Sequence, residues 1–479
     1  MDDYPKLRLY IDGRWIEGTG SGSMAVENPA DGSELGQLPV AGDAELDAAL
    51  EAAERGYRVW RSRSAFERFQ VITEATRLLR ERAPRIARAI TLEQGKPLAE
   101  ALREVQLSAD IIDFLAEEGK RLYGRTVPPR QANVLSQTVM RQPVGPVAAF
   151  TPWNFPVNLP SRKLGGALAA GCSVIIKPAE ETPASCMLIV EAFHDAGLPP
   201  GVINMVCGEP SKISSTLLAA EPIRKASFTG SVAVGKMLGE LAARGMKRYT
   251  AELGGHAPVI VCADANIESA AKLAVAAKFR NAGQVCASPI RFYIHESRYI
   301  EFRDRFIAHA KALKVGSGLD QGSDMGPLIH GRRLREMQSF VDDALARGGK
   351  LCCGGLALPG KGHFYPPTVL EHVPAAARVQ QVEPFGPLAL LQPFATLDEA
   401  LADANGLAVG LSAYAFTRDL ATAHRLAEEL EAGMVGINHF GVSQPETPFG
   451  GWKESGMGQE SGMEGLLAYT EVKLVSIAA

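Results

Sequence analysis

The chain has 479 residues, 46% hydrophobic and 22% charged, with a formal net charge of −4. That length predicts about three domain-sized units and an ordinary globular core. The charge provides no basic footprint for nucleic acid and no like-charge block for a membrane surface or polyanion, so the composition points to small-molecule chemistry. No apolar run approaches the ~20 residues of a membrane helix. The start, Met1-Asp-Asp-Tyr-Pro-Lys6, lacks the basic and apolar parts of a signal peptide, which predicts a cytoplasmic protein. The seven cysteines, at 172, 186, 207, 262, 286, 352 and 353, form no CxxC pair. A disulfide framework or a zinc site is not expected, and Cys352-Cys353 reads as two reduced thiols because vicinal disulfides are strained.

In chain order, Tyr10-Ile-Asp-Gly-Arg-Trp15 reads as a hairpin, and amphipathic helices follow. Leu46, Leu50, Ala53 and Tyr57 share one helical face, and Leu102, Val105, Ala109 and Ile112 another. Both faces are expected to cover a sheet. Segment 122–141 alternates apolar and polar residues. From Gly145 the pattern becomes βαβ: Val147-Ala-Ala-Phe150, Ser173-Val-Ile-Ile176 and Val202-Ile-Asn-Met-Val206 are apolar runs separated by helical stretches near 160–170 and 184–196. A GxGxxG fingerprint is missing, since Gly18-Thr-Gly-Ser-Gly22 and Gly456-Met-Gly458 have the wrong spacing and context. Ser227-Phe-Thr-Gly230-Ser231-Val-Ala-Val-Gly235 instead ends a strand and opens a helix, where amides and the helix dipole suit a pyrophosphate. Taken alone, it equally describes a turn and helix cap. A second α/β segment runs from Gly254 to Pro448, with helices at 266–278 and 297–314 and a strand at Ile290-Arg-Phe-Tyr-Ile294. Segment 465–479 alternates again. No internal repeat or flexible linker is evident.

Chemistry concentrates in a few motifs. Cys286 closes Phe279-Arg-Asn-Ala-Gly-Gln-Val-Cys286 and lies 34 positions after Glu252 of Glu252-Leu-Gly-Gly255. A thiol that adds to a carbonyl, together with a carboxylate that activates water, suggests covalent catalysis through a thioester. Thr151-Pro-Trp153-Asn154-Phe-Pro156 and Glu383-Pro-Phe385-Gly-Pro387 accompany them. Each has a plainer reading in isolation: a buried thiol for Cys286, a turn residue for Asn154 and a strand-ending carboxylate for Glu252. Glu180 of Lys177-Pro-Ala-Glu180, before Glu-Thr-Pro, likewise reads alone as a charged helix start. His256, beside Ala-Pro, reads as a packed or surface residue without a catalytic role.

Together these motifs resemble the aldehyde dehydrogenase superfamily from Tyr10 to Tyr469. The resemblance implies an α/β fold with a Rossmann-like NAD-binding domain (1–121 and 142–253), an α/β catalytic domain (254–447) and a small β oligomerisation element (122–141 and 465–479). It also implies a homodimer or homotetramer. Cys286 would be the nucleophile and Glu252 the general base. Asn154, with the Cys286 N–H, would stabilise the oxyanion, and Lys163 and Glu460 would relay protons. No metal is implied. NAD is the expected cofactor, with NADP used less efficiently: Lys177 and Glu180 would hold the adenosine ribose, Trp153, Gly230, Ser231 and Gly235 would lie around the pyrophosphate, and Glu383 and Phe385 would hold the nicotinamide ribose and ring.

Within the superfamily the chain is most similar to succinate-semialdehyde and α-ketoglutarate-semialdehyde dehydrogenases, which implies that Arg162, Arg280 and Ser443 meet a substrate carboxylate. Two features depart from the succinate-semialdehyde pattern: the loop Asn438-His-Phe-Gly-Val-Ser-Gln-Pro-Glu-Thr447, and Ser288 in place of a second cysteine. A short ω-carboxy semialdehyde such as succinate semialdehyde is the expected substrate. α-Ketoglutarate semialdehyde and general aliphatic or aromatic aldehydes are the alternatives. Thiol-dependent esterase and CoA-acylating chemistry are the competing classes, and Glu252 argues against the latter.

Overall fold

The structure, a computed structural model, describes residues 4–18, 20 and 22–479. Met1–Asp3, Thr19 and Ser21 lie outside the described residues, so the expectations for Met1–Lys6 and for Gly18–Gly22 fall partly on them. Strands Leu9–Ile11 and Arg14–Ile16 pair Tyr10 with Trp15 across a turn in which Asp12 and Gly13 have positive φ, the geometry of a two-residue hairpin. This hairpin borders an eight-stranded sheet.

The middle of that sheet is parallel, in the order Ile203–Met205, Val174–Lys177, Val147–Phe150, Lys225–Thr229, Arg248–Glu252. The runs legible as apolar are buried throughout, as strands covered on both faces must be. Helix Asp43–Ser62 packs on this sheet through Leu46, Leu50 and Ala53. Helix Leu98–Gly119 differs from expectation: its Val105, Ala109 and Ile112 face pack against other helices instead of the sheet. The reason is helix Asn158–Ala170, buried at every residue because it is sandwiched between the strands and that outer helix.

A second, seven-stranded sheet is centred on Ala257–Val261 and Pro289–His295 and is parallel except for its Lys350–Cys353 edge. One apolar core extends from Leu7 to Leu253 and takes in Leu466 and Tyr469; further clusters gather residues from Ala257 onward. The chain crosses between them at 253–257. Strands Arg125–Val127, Val134–Pro143 and Thr470–Ala478 form a separate three-stranded sheet that leaves Leu135, Val472 and Leu474 exposed. Residues Gly465–Leu467, expected to alternate as a strand, instead end helix Gly462–Leu467, because Leu466 is drawn into the first core. No helix among the described residues is long and apolar enough to cross a membrane.

Candidate active site

In the first sheet the chain order reverses between Val147–Phe150 and Lys225–Thr229. The crevice beyond the carboxyl ends of strands at such a reversal is where open α/β sheets bind ligands. Three candidate groups sit at those ends: the 151–156 loop with Asn154, the Gly230-Ser231 turn, and Glu252, which closes its own strand. The second sheet faces them with the amino ends of two strands. Cys286 precedes Pro289–His295, and Glu383 and Phe385 precede Leu388–Phe394.

The two halves approach closely because residues 254 and 255 have no side chains. A Cβ on Gly254 would collide with the Glu383 carboxylate, and one on Gly255 would lie 3.2 Å from the Cys286 carbonyl. Ser455 braces the crossing, donating from Oγ to Gly254 O (2.8 Å) and accepting the Leu253 N–H on its carbonyl (2.8 Å). On the other side, Asn281, Ala282 and Gly283 form a left-handed run with φ of 50°, 52° and 71°. For Ala282, which has no side chain to bond locally, this costs roughly 1–2 kcal/mol. The turn delivers Cys286, partly exposed, against Leu411, Met434, Val442 and Phe449.

Burial pushes the Cys286 thiol up to about 12, with the nearby Glu383 and Glu252 carboxylates adding to the effect and Arg162 opposing it. Asn154 is buried and donates from Nδ2 to Gln284 O (3.1 Å), two residues before the thiol; its Oδ1 has no partner. Glu252 is buried with neither carboxylate oxygen hydrogen-bonded, and its pKa is well above the usual range, first from burial and then from Glu460. Lys163, fully buried, pairs with Glu460 and donates to Thr229 Oγ1 (2.8 Å) and Ser227 Oγ (3.2 Å), two hydroxyls on the same face of one strand.

Arg162 is also buried. It donates from Nε to Asn158 Oδ1 (3.0 Å), from Nη1 to Ser461 Oγ (2.5 Å) and from Nη2 to Ser443 Oγ (2.7 Å), with its guanidinium 4.5 Å over the Phe449 ring. All three acceptors are neutral. Arg280 is exposed, its guanidinium 5.6 Å from the Phe155 ring centroid. The structure therefore joins Ser443 directly to Arg162 and leaves Arg280 in solvent beside the Asn154 loop.

Of the candidate cofactor residues, Ser231 caps helix Val232–Arg244 and accepts the Val234 N–H, Gly230 N–H donates to Glu252 O (3.1 Å), and Gly235 N–H donates to Ser231 O (2.9 Å). Trp153 stands edge-on to Phe385 with ring centroids 5.5 Å apart. Lys177 is buried and paired with Glu180. Burial raises the Glu383 pKa to about 8, and its Oε1 has no hydrogen-bond partner. A helix start beyond parallel strands, with a carboxylate that keeps one oxygen unpartnered lying against Gly254 where the chain crosses to the other sheet, fits a dinucleotide.

Several residues that organise this region carried no motif signal: Lys96, Glu100, Glu104, Arg333 and Ser461. Arg333 donates to Phe385 O (3.0 Å) from a helix some fifty positions earlier, and no local pattern reports such a contact. Gln284 lies inside the cysteine motif, and its buried side chain, which accepts the Ile329 N–H (3.0 Å), was the one available hint.

A profile of the aldehyde dehydrogenase family matches residues 15–475. The putative 4-(hydroxymethyl)benzenesulfonate dehydrogenase TsaD2 of Comamonas testosteroni is 45% identical over 98% of each chain. The succinate-semialdehyde dehydrogenase [NADP(+)] GabD of Escherichia coli K12 is 42% identical over 98% of each. The crystal structure of succinate-semialdehyde dehydrogenase from Burkholderia pseudomallei superposes with a TM-score of 0.97 at 41% identity, covering 100% of this chain and 99% of that one. The chain belongs to the aldehyde dehydrogenase family, and the expected fold holds.

Proposed function

We propose that this aldehyde dehydrogenase oxidises an aldehyde bearing a terminal anion to the acid, through a thioester on Cys286 and with NAD as the preferred cofactor. The observation that carries the reading is the convergence from two sheets of a thiol set among apolar side chains, an amide bonded to the backbone two residues before it, and an unpartnered buried carboxylate close enough for its charge to act on the thiol.

With its pKa near 12, the thiol needs a proton acceptor before it can attack, and Glu252, whose own proton affinity is raised, fills that role within the cleft. Sulfur then bonds to the carbonyl carbon, and the resulting oxyanion lies between Asn154 Nδ2 and the Cys286 N–H. When bound, the nicotinamide ring supplies the acceptor for the hydride that leaves this carbon. Glu252 then passes the thiol's proton to the Lys163–Glu460 pair. As a carboxylate again it takes a proton from the water that attacks the thioester, and hands that proton to the sulfur as the carbon–sulfur bond breaks. Glu180 favours NAD by accepting from the ribose hydroxyls and repelling a 2′-phosphate. Residues exposed on the three-stranded sheet, Leu135, Val472 and Leu474, form the surface that pairs with further copies of the chain.

Arg162 supports the terminal anion, since a buried guanidinium held only by hydroxyl and amide oxygens retains its charge for a ligand. Succinate semialdehyde and its homologues fit. A sulfonated aldehyde is the second reading, favoured by the similarity to TsaD2 and by the same neutral donor set. The mechanism is tested by pre-steady-state kinetics: Glu252→Gln should form its one equivalent of reduced cofactor per site more slowly than wild type, because the thiol has lost its proton acceptor, and then stall, whereas Cys286→Ala should form none yet bind cofactor normally. Steady turnover by Glu252→Gln at the wild-type rate would remove the base assignment.

A further inference from the structure

Lys96 belongs to none of the motifs described, yet it is fully buried beside the reacting groups. It precedes helix Leu98–Gly119. Its ammonium donates to Glu104 Oε2 (2.6 Å) and to Asn154 O (2.8 Å), and lies 4.0 Å from the Phe155 ring centroid. The other Glu104 oxygen accepts the N–H groups of Val157 (2.9 Å) and Asn158 (3.1 Å), where the Asn154 loop enters the next helix. One turn earlier on the same helix, Glu100 Oε2 accepts the Asn281 N–H (3.1 Å) at the start of the left-handed run. Asn281 Nδ2 in turn donates to Asn154 O (2.9 Å). The Asn154 carbonyl thus receives two side-chain donors, one from each side of the cleft.

An ion pair this deep is a poor way to gain stability, because desolvating two charges offsets their attraction and an apolar pair of similar size does as well. What it supplies is position. Fixing a donor to within a fraction of an ångström of the developing oxyanion governs how much the donor contributes to rate. We infer that Lys96, clamped by Glu104, is a positioning residue that sets the Asn154 amide for the oxyanion, an inference that rests on the reading of Asn154 as oxyanion donor. Removing the ammonium frees the 154 carbonyl on one side and lets the amide rotate, while leaving the thiol and its surroundings in place.

The test is a double-mutant cycle with Lys96→Met and Asn154→Ala, in the full-length protein. Two acylation rates are read: single-turnover formation of reduced cofactor with aldehyde, and the p-nitrophenolate burst from p-nitrophenyl acetate without cofactor. The control is alkylation of Cys286 by iodoacetamide, which forms no oxyanion. Asn154→Ala should slow acylation by about 10²–10³. Lys96→Met should slow it by about 10–100-fold, with alkylation and the aldehyde KM within about threefold of wild type, and the double variant should be no slower than Asn154→Ala alone. Wild-type acylation in Lys96→Met, multiplicative losses in the double variant, or an equal loss of alkylation would overturn the inference. If Lys96→Met does not fold, Glu104→Gln takes its place in the same cycle with the same expected coupling. Wild-type acylation in Asn154→Ala would instead overturn the oxyanion reading itself.

Discussion

Replacing Arg162 by Met tests whether the buried guanidinium recognises the substrate's far end. Methionine keeps an apolar stem over Phe449 and removes the charge and the donors to Asn158, Ser443 and Ser461. Because those partners are neutral, an added carboxylate or sulfonate makes charge-assisted hydrogen bonds without displacing a rival anion. Such bonds contribute about 1.5–3 kcal/mol, which corresponds to about a 10- to 150-fold preference for succinate semialdehyde over butanal in kcat/KM. The variant should lose that preference, with butanal turnover nearly unchanged. Asn158 Oδ1 and the Ser461 hydroxyl are left short of a donor, so unfolding free energy should fall by about 1–3 kcal/mol, partly offset because a buried charge is gone. Arg280 is solvent-exposed, and at such a site a charge contributes about 1 kcal/mol or less, so Arg280→Gln should narrow the preference by no more than about fivefold. Equal wild-type efficiency with the two aldehydes, or a preference that survives in folded Arg162→Met, would refute the reasoning.

Glu180→Ser should erode a wild-type NAD preference by about tenfold, since it removes the repulsion of a 2′-phosphate and frees the buried Lys177 from its ion pair; a wild-type kcat/KM higher with NADP would contradict this. Acid stability should depend on His256, whose ring is buried, with Nε2–H on Val379 O (2.9 Å), and whose pKa is pushed down to about 3 by burial and by nearby Arg291. Unfolded histidine titrates near 6.5, so between these values the native state binds fewer protons and stability falls as pH drops, by about 2 kcal/mol at pH 5. His256→Gln keeps the donor to Val379 O and should flatten that part of the decline between pH 7 and 5. An unchanged decline by chemical denaturation would count against it.

The parallel strands of the first sheet were legible because burial on both faces makes them short apolar runs, and the observed Val147–Phe150 matches the expected one residue for residue. The layering was not. Nothing in the Val105, Ala109 and Ile112 stripe tells whether it meets a sheet or another helix; that depends on helix Asn158–Ala170 having no solvent-facing side. The motifs pointed to residues around the crevice because close approach of two backbones demands Gly254-Gly255, a constraint written locally. The left-handed turn at Asn281 and Ala282 was hidden, since Ala282 disfavours it and one of its anchors, Glu100, lies 181 positions away. Separation in sequence likewise hid Lys96, 58 positions from Asn154, and Ser461, 299 from Arg162.

Glu252 ends a strand of one sheet and Cys286 lies three residues before a strand of the other, so the gap between them is set by how the two cores dock and by neither core alone. Each core can gather its own apolar residues during refolding while the reacting pair is still apart. Recovery of turnover is then a clock for docking, and it should lag the return of helical circular dichroism. A crosslink between the sheets that tilts one against the other by an ångström should silence the enzyme without melting either.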